Sequence, residues 1–402
     1  MTSHHLLIRT NAEPHGPAIW KCLPSADTVH VTTVRKLLLA VLLVSLAGSA
    51  FGAGTFATFN ATTTNAGSAF STGSLVLTNT KGGGSLCYSN GTSANGVAGA
   101  NTDTNANTNC DAVFTAGISK PGDAATQTVT INNAGSLAAA GGLTLYSGTT
   151  AITNCADTPR PGEIATGTGS MCETANLTIT DTTTSKCIYG GGASQEVRGN
   201  TAVFANPGTT ATITASTNDQ MTFNVGGAGN VTITIAPGVY SLSMGGTGNT
   251  PFTNPTMETA IQNALITANL PVLSGIGTDG FVYFAAKNPG ATLVVTNPAS
   301  RNAGATIGTG TNGTPTMTAV YPATQDTHCS YTPAHSIMNF TRMFAPSGAA
   351  GAVTAQAPIT ALASLPVSTA KVFSVSIGLD LAATNYYQGR LATFGMTWQA
   401  LQ

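Results

Sequence analysis

Charge is what this sequence has least of. Asp, Glu, Lys and Arg make up 7% of its 402 residues, against about 25% in an ordinary soluble protein. The formal net charge is −1, and no cluster of Lys or Arg is dense enough to neutralise a run of phosphates. Nucleic acid is therefore excluded as a partner. Scarce charge does not imply disorder, which needs high net charge and few apolar residues; here 42% of residues are hydrophobic. The chain should fold with a surface of hydroxyls and amides. Such a surface lacks the repulsion that keeps soluble proteins apart, so self-association is easier.

The chain also lacks an apolar run of membrane-spanning length. Its best candidate runs from Leu37 to Leu46, shorter than the roughly 20 residues a spanning helix needs. Arg35 and Lys36 precede this run, and Gly48, Ser49, Ala50, Gly52 and Ala53 follow it. That layout reads as a secretory signal over 34–53, with cleavage expected between Phe51 and Gly54 and no stable membrane insertion afterwards. Residues 1–33 read as an N-terminal extension from a mis-assigned start, with initiation near Val34. Residues 1–53, Cys22 and Trp20 included, are excluded from the expected fold.

Motifs for chemistry are missing as well. After the signal only His328 and His335 remain, seven apart in "HCSYTPAH" with no adjacent Glu. A zincin needs two His at i and i+4 on a helix with Glu beside the first. His328, Cys329, His335 and Asp326 could together ligate a metal, but loop histidines around a disulfide cysteine is the plainer reading. In "NTDTNANTNCD" (101–111) polar residues alternate as in a calcium loop, yet Ala106 and Ala112 stand where an EF-hand needs Gly and Glu. "GAGN" and "GGGAS" lack the Lys-Ser/Thr of a phosphate loop, and no Gly-x-Ser-x-Gly elbow is followed by a credible Asp and His. "LPVST" (365–369) lacks the ending and apolar tail of a wall-anchoring signal. No metal, cofactor or catalytic residue is assigned, and no enzyme is expected.

What is present is a series of short strand-like runs. "SLVLT" (74–78), "TQTVTIN" (126–132), "LTLYS" (143–147) and "NLTIT" (176–180) are rich in β-formers and separated by turn residues. Lys120–Asp123 encloses a Pro-Gly turn. An all-β sandwich follows from this spacing. About 350 residues remain after the signal, enough for one large core or two ordinary ones.

The middle differs. Residues 217–307 read strand, strand, helix, strand, strand, with a helix over 255–269 started by Asn254 and Pro255. Met257, Ile261, Ala264, Leu265 and Ala268 share its apolar face. It reads as the one convincing helix after the signal.

Six cysteines remain: Cys87, Cys110, Cys155, Cys172, Cys187 and Cys329. An even number in an exported chain favours disulfides. Of fifteen connectivities, the sequence favours Cys87 with Cys110, because they flank one polar excursion. Cys155, Cys172 and Cys187 are crowded, leaving one to join Cys329 or stay free.

Four segments carry a resemblance: "FNATTTNAGSAFSTGSLVLTNTKG" (59–82), "CDAVFTAGISKPGDAATQTVTINNAGSLAA" (110–139), "KCIYGG" (186–191) and "FSVSIGLDLAATNYYQGRLATFGMTWQALQ" (373–402). In this order they resemble the TasA/camelysin family of secreted bacterial fibre-forming proteins. The resemblance implies a jelly-roll sandwich in two parts, 54–204 and 316–402. "NDQMTFNVGGAGNVTITIAPGVYS", the helix and "LVVTNPASRNAGATIG" resemble the flagellin hook-type inserted module, implying a small α+β unit over 205–315.

By this resemblance the chain is a structural subunit of an extracellular fibre or biofilm matrix, at the cell surface, with copies of itself and other matrix components as partners. The segment freed by cleavage, Gly54 to Asn60 with Phe56 and Phe59 as anchors, would complete the sheet of the next subunit. Phe56 and Phe59 are three apart, so a regular strand would point them to opposite faces and one groove takes both only with a bulge. Pairing within its own subunit is the alternative. In the last hairpin Phe394, Met396 and Trp398 alternate as core residues, and Tyr386–Gly389 matches the family's turn. Two other functions stand as alternatives: ligand display by a monomer through the inserted module, and a camelysin-like hydrolase for which no site is visible.

Overall fold

The computed structural model describes residues 73–91, 105–107, 110–114, 120–148, 155–159, 171–203, 210–241, 256–277, 279–309, 317–344, 358–381 and 390–402, besides Lys36. Phe56, Phe59, the signal segment, Asn254, Pro255 and the Tyr386–Gly389 turn lie outside these residues.

Before the inserted region come β1 (Leu77–Lys81), β2 (Leu86–Tyr88), β3 (Ala124–Asn133), β4 (Gly142–Ser147), β5 (Ala156–Pro159), the short helix α1 (Met171–Thr174), β6 (Ala175–Asp181) and β7 (Lys186–Tyr189). The middle of the chain from Glu196 to Tyr321, wider than the expected module at 205–315 and called the inserted region below, holds β8 (Glu196–Arg198), β9 (Thr210–Ile213), β10 (Gln220–Val225), β11 (Asn230–Thr234), β12 (Gly238–Ser241), α2 (Met257–Thr267), β13 (Val272–Ile276), β14 (Val282–Ala286), β15 (Leu293–Thr296), α3 (Gly304–Ile307) and β16 (Thr318–Tyr321). After it come α4 (Ile337–Met343), β17 (Ile359–Leu362), β18 (Ala370–Leu379), β19 (Arg390–Thr393) and β20 (Met396–Leu401). The fold is mostly β, and every ladder between named strands is antiparallel.

A six-stranded sheet in the order β2-β1-β3-β18-β6-β7 and a three-stranded sheet β17-β4-β20 share one core. Alternation builds it. On β3, Val129 and Ile131 are buried while Thr126 and Thr128 face outward, since successive side chains of a strand point to opposite faces. Leu177 and Ile179 of β6, with Phe373 and Val375 of β18, line the same side, and Leu143, Leu145 and Ile359 face them from the smaller sheet. Each such side chain contributes roughly 1.5–3 kcal/mol on burial. The turn before β3 forms as expected: Gly122 has φ +83° and the Asp123 amide donates to the Lys120 carbonyl over 3.1 Å.

The strand order is legible in part. Expected strands at 126–132, 143–147 and 176–180 lie inside β3, β4 and β6. The first is displaced: β1 begins at Leu77, not Ser74, because Ser74 instead closes a loop in which its carbonyl accepts from the Ser136 and Leu137 amides.

The inserted region has a second core, with Met221 and Phe223 of β10, Ile261 and Leu265 of α2 and Phe284 of β14 at its centre. The Phe223 and Phe284 rings meet edge to face at 5.2 Å. The expected strand–strand–helix–strand–strand order is too simple, since β13 follows α2 directly and β12 precedes it. The sheet β13-β14-β8-β16 recruits strands beyond 205–315 on both sides, because Glu196–Arg198 and Thr318–Tyr321 pair with each other. This sheet serves both cores. Leu273 and Ala285 face the sandwich core, whereas Val272, Phe284 and Ala286 face the second core.

The helix α2 is shorter than expected. Thr256 caps it, accepting from the Thr259 amide at 3.2 Å, which satisfies one of the orphan donors of the first turn. Burial extends beyond one face, since Glu258, Gln262 and Ile266 are buried as well. A second helix, α4, corrects the expectation of only one. Ser336 caps it through the Asn339 amide at 3.2 Å, and Ile337, Phe340 and Met343 are buried. At seven residues it is too short for a period of 3.6 to stand out.

Candidate strand-acceptor edge

A sheet edge presents unpaired amides and carbonyls, and proteins normally close it or charge it. The two sheets of the sandwich have four edges, and described residues cover the outer side of two of them. At β2, the Cys87–Cys110 disulfide brings a loop alongside, and Asn107 Nδ2 donates to the Tyr88 carbonyl over 3.0 Å. At β7, the Cys187 amide donates to the Asp326 carbonyl over 2.9 Å, Gly191 bridges to Ser330, and Cys187 is bonded to Cys329. The β17 edge pairs with β4 alone among the described residues, but its inward face is already filled, Ile359 and Ala361 being 1% and 7% exposed.

The fourth edge, β20, is different. Met396, Trp398 and Ala400 pack inward against the core but stay only half-buried, whereas Leu143 and Leu145 on the neighbouring β4 are 0% exposed. Among the described residues β20 pairs with β4 alone, in register from Met396 opposite Ser147 to Leu401 opposite Gly142. Trp398 is fixed by stacking on Phe373 at 4.5 Å, and Phe394 meets Phe340 edge to face at 6.4 Å. The result is a shallow apolar shelf beside a row of backbone groups. β20 reads MTWQAL, with no Lys, Pro or acid on it. Its six residues span about 20 Å, the length of an added strand of similar size. Such an edge can take an extended apolar segment by main-chain hydrogen bonds, with alternate side chains seated on the shelf.

The sequence placed Phe394, Met396 and Trp398 in the core of a closing strand, and they do pack against it. What it missed is that, among the described residues, the closure is one-sided. The absence of a charge or a proline on the last strand was the available sign.

Of the four candidate metal ligands only His328 and Asp326 meet, while Cys329 and His335 are engaged with other partners. Cys329 is spent in the disulfide with Cys187, so it offers no thiolate. His328 is 86% exposed, with Nδ1 at 3.2 Å from Asp326 Oδ1, and this contact holds the Asp326 carboxyl below its ordinary pKa. His335 is buried, its Nδ1 at 2.8 Å from Thr332 Oγ1 and 3.4 Å from Glu196 Oε2. Among the described residues no three of His, Cys, Asp and Glu converge as a metal site. In the 101–111 loop the described amides tie strands together: Asn105 Oδ1 accepts from Ser89 Oγ at 2.6 Å, and Asn107 serves β2.

Thr332, His335 and Glu196 superficially suggest a catalytic trio. The geometry argues for a lock. The Thr332 hydroxyl donates to Glu196 Oε2 at 3.0 Å instead of to the imidazole, and the three residues are 4%, 2% and 0% exposed. They join β8 to the segment before α4, with the His335 ring edge-on to Tyr189 at 4.9 Å. Burial, reinforced by the Glu196 charge, raises the Tyr189 phenol well above its ordinary pKa, so it stays a donor to the Ser336 carbonyl.

The six cysteines form three disulfides, Cys87–Cys110, Cys155–Cys172 and Cys187–Cys329. Among the described residues no helix is long and apolar enough to cross a membrane. Both features fit an exported, disulfide-bonded protein. Searches of family models, of curated proteins and of solved structures find no match to this chain.

Proposed function

We propose that this protein is a structural subunit of an extracellular fibre, of the kind its TasA/camelysin-like segments suggest, wound as a jelly-roll interrupted by a surface module. Copies join head to tail: the segment Gly54 to Asn60 of one copy, anchored by Phe56 and Phe59, adds to β20 of the next. The observation that carries the reading is the half-buried row Met396, Trp398 and Ala400 on an edge that is neither covered nor charged among the described residues. The added strand would satisfy the edge amides and carbonyls and bury the apolar shelf. A surface with 7% charged residues supports close approach of copies.

The test is negative-stain electron microscopy of residues 54–402 beside 61–402, each at rising concentration. Filaments from the longer chain alone are the expected result. Filaments from both would place the contact elsewhere, and monomers from both would overturn the proposal in favour of display through the inserted region.

A further inference from the structure

The three disulfides are not spread evenly. None of the six bonded cysteines lies within the inserted region, and the bridge that closes the longest loop sits where that region leaves and rejoins the sandwich. Cys187 lies on the last strand before it and Cys329 just after it, with a separation of 142 residues and a Cα–Cα distance of 4.9 Å. Around the bridge the two chain segments run side by side as a neck. The Gly191 amide donates to the Ser330 carbonyl at 2.7 Å, the Ser330 amide donates back at 3.1 Å, the Asp326 amide donates to the Gly192 carbonyl at 2.6 Å, and β8 then pairs with β16.

A ladder of this kind resists poorly when its two strands are pulled apart at one end. The hydrogen bonds lie across the strands, so they break one after another, each worth only about 1 kcal/mol. A covalent bond at that end changes the outcome. We infer that Cys187–Cys329 is a mechanical bypass: tension applied through the chain ends passes across the disulfide, and the inserted region stays folded outside the load path. Its second core, on the far side of the shared sheet, supplies the packing that lets it persist when the sandwich is extended. The bypass holds for any load on the ends and does not depend on how copies assemble.

The test stretches the chain 54–402 between handles at its ends, before and after reduction by a dithiol, which exchanges with each disulfide to leave two cysteine thiols and the oxidised reagent. The oxidised chain should release about 500 Å less than the reduced one on account of this bridge, from 142 residues at about 3.5 Å each. The other two bridges, spanning 23 and 17 residues, add only about 140 Å together. A second variant, Ala286→Cys, places a thiol in the second core at a position that is 0% exposed. In the oxidised chain it is the only free thiol, and it should stay unlabelled by a fluorescent maleimide while the sandwich is held extended. Labelling under that load would overturn the inference, as would equal release lengths with and without reduction.

Discussion

The sandwich and the inserted region solve the same problem by different means. The sandwich carries two disulfides of its own and has an edge, β20, that pairs with β4 alone among the described residues and borders a half-buried apolar row. The inserted region has no cysteine and relies on packing around α2, on the Phe223–Phe284 contact and on two described ion pairs, Arg198–Asp279 and the closer Arg301–Asp219. In that pair Arg301 Nε and Nη2 donate to the two Asp219 carboxylate oxygens at 2.8 and 2.7 Å, a bidentate geometry that is stronger than a single contact. The difference is one of task. Where a strand has few partners, as at the three-residue edge strand β2, a covalent cross-link compensates by restricting the unfolded chain. A unit wrapped around a buried helix needs no such help.

Core truncations should give the largest effects and test how separate the two regions are. Phe284→Ala removes a fully buried ring of the second core and should cost about 4 kcal/mol. In calorimetry it should lower the transition of the inserted region and leave that of the sandwich in place. Leu273→Ala, on the shared sheet but facing the sandwich core, should lower both. If the two variants shift a single common transition equally, the distinction between the regions fails.

Next in size is the disulfide at β2. Replacing Cys87 and Cys110 together by Ala should remove roughly 3 kcal/mol from the sandwich alone, given a loop of 23 residues. Urea unfolding followed at Trp398, which packs on the sandwich core, would register it.

The ion pair gives a smaller, pH-dependent contrast. Hydrogen bonds from Arg301 hold the Asp219 carboxyl at a pKa of about 2, below its unfolded value of about 3.9. The unfolded chain therefore binds the proton more readily, and the stabilisation is present above about pH 4 and fades as pH falls towards 2. Asp219→Asn should cost the inserted region about 2 kcal/mol at pH 7. By pH 2 wild type and variant should unfold at nearly the same urea concentration, with the sandwich indifferent to the substitution throughout.

The smallest expected effect on stability carries the largest on assembly. Ala400→Lys sets an inward-pointing charge on the open edge, a common way of protecting such strands. Because Ala400 is only half-buried, the monomer should lose less than about 1 kcal/mol. Filament formation in electron microscopy should nonetheless be suppressed, and undiminished filaments would remove β20 from the proposed contact.

Much of the strand content could be read locally. β3, β4, β6 and β10 alternate or cluster β-branched residues strongly enough to be placed within a few residues. The cap of α2 was harder, because Asn254, Thr256 and Pro255 all offer start signals and only the actual bond to the Thr259 amide selects Thr256. β13, buried along its whole length, and the three-residue strand β8 gave no usable period. Within β13, Gly275 is required because any Cβ there would collide with the Pro333 carbonyl, a constraint created by a segment distant in sequence.

By itself the sequence determined composition-level properties: a sparsely charged, β-rich, disulfide-capable chain. These depend on which residues are present and on spacings of two to four positions, so local chemistry suffices. The Cys87–Cys110 pair was also legible, but only the tertiary structure decided how Cys155, Cys172, Cys187 and Cys329 pair, that one sheet serves two cores, and that β20 pairs with β4 alone among the described residues. Each of these depends on segments brought together from far along the chain, as Cys187 and Cys329 are across 142 positions. Long-range pairing is selected by the total burial it permits, and no local pattern encodes that sum.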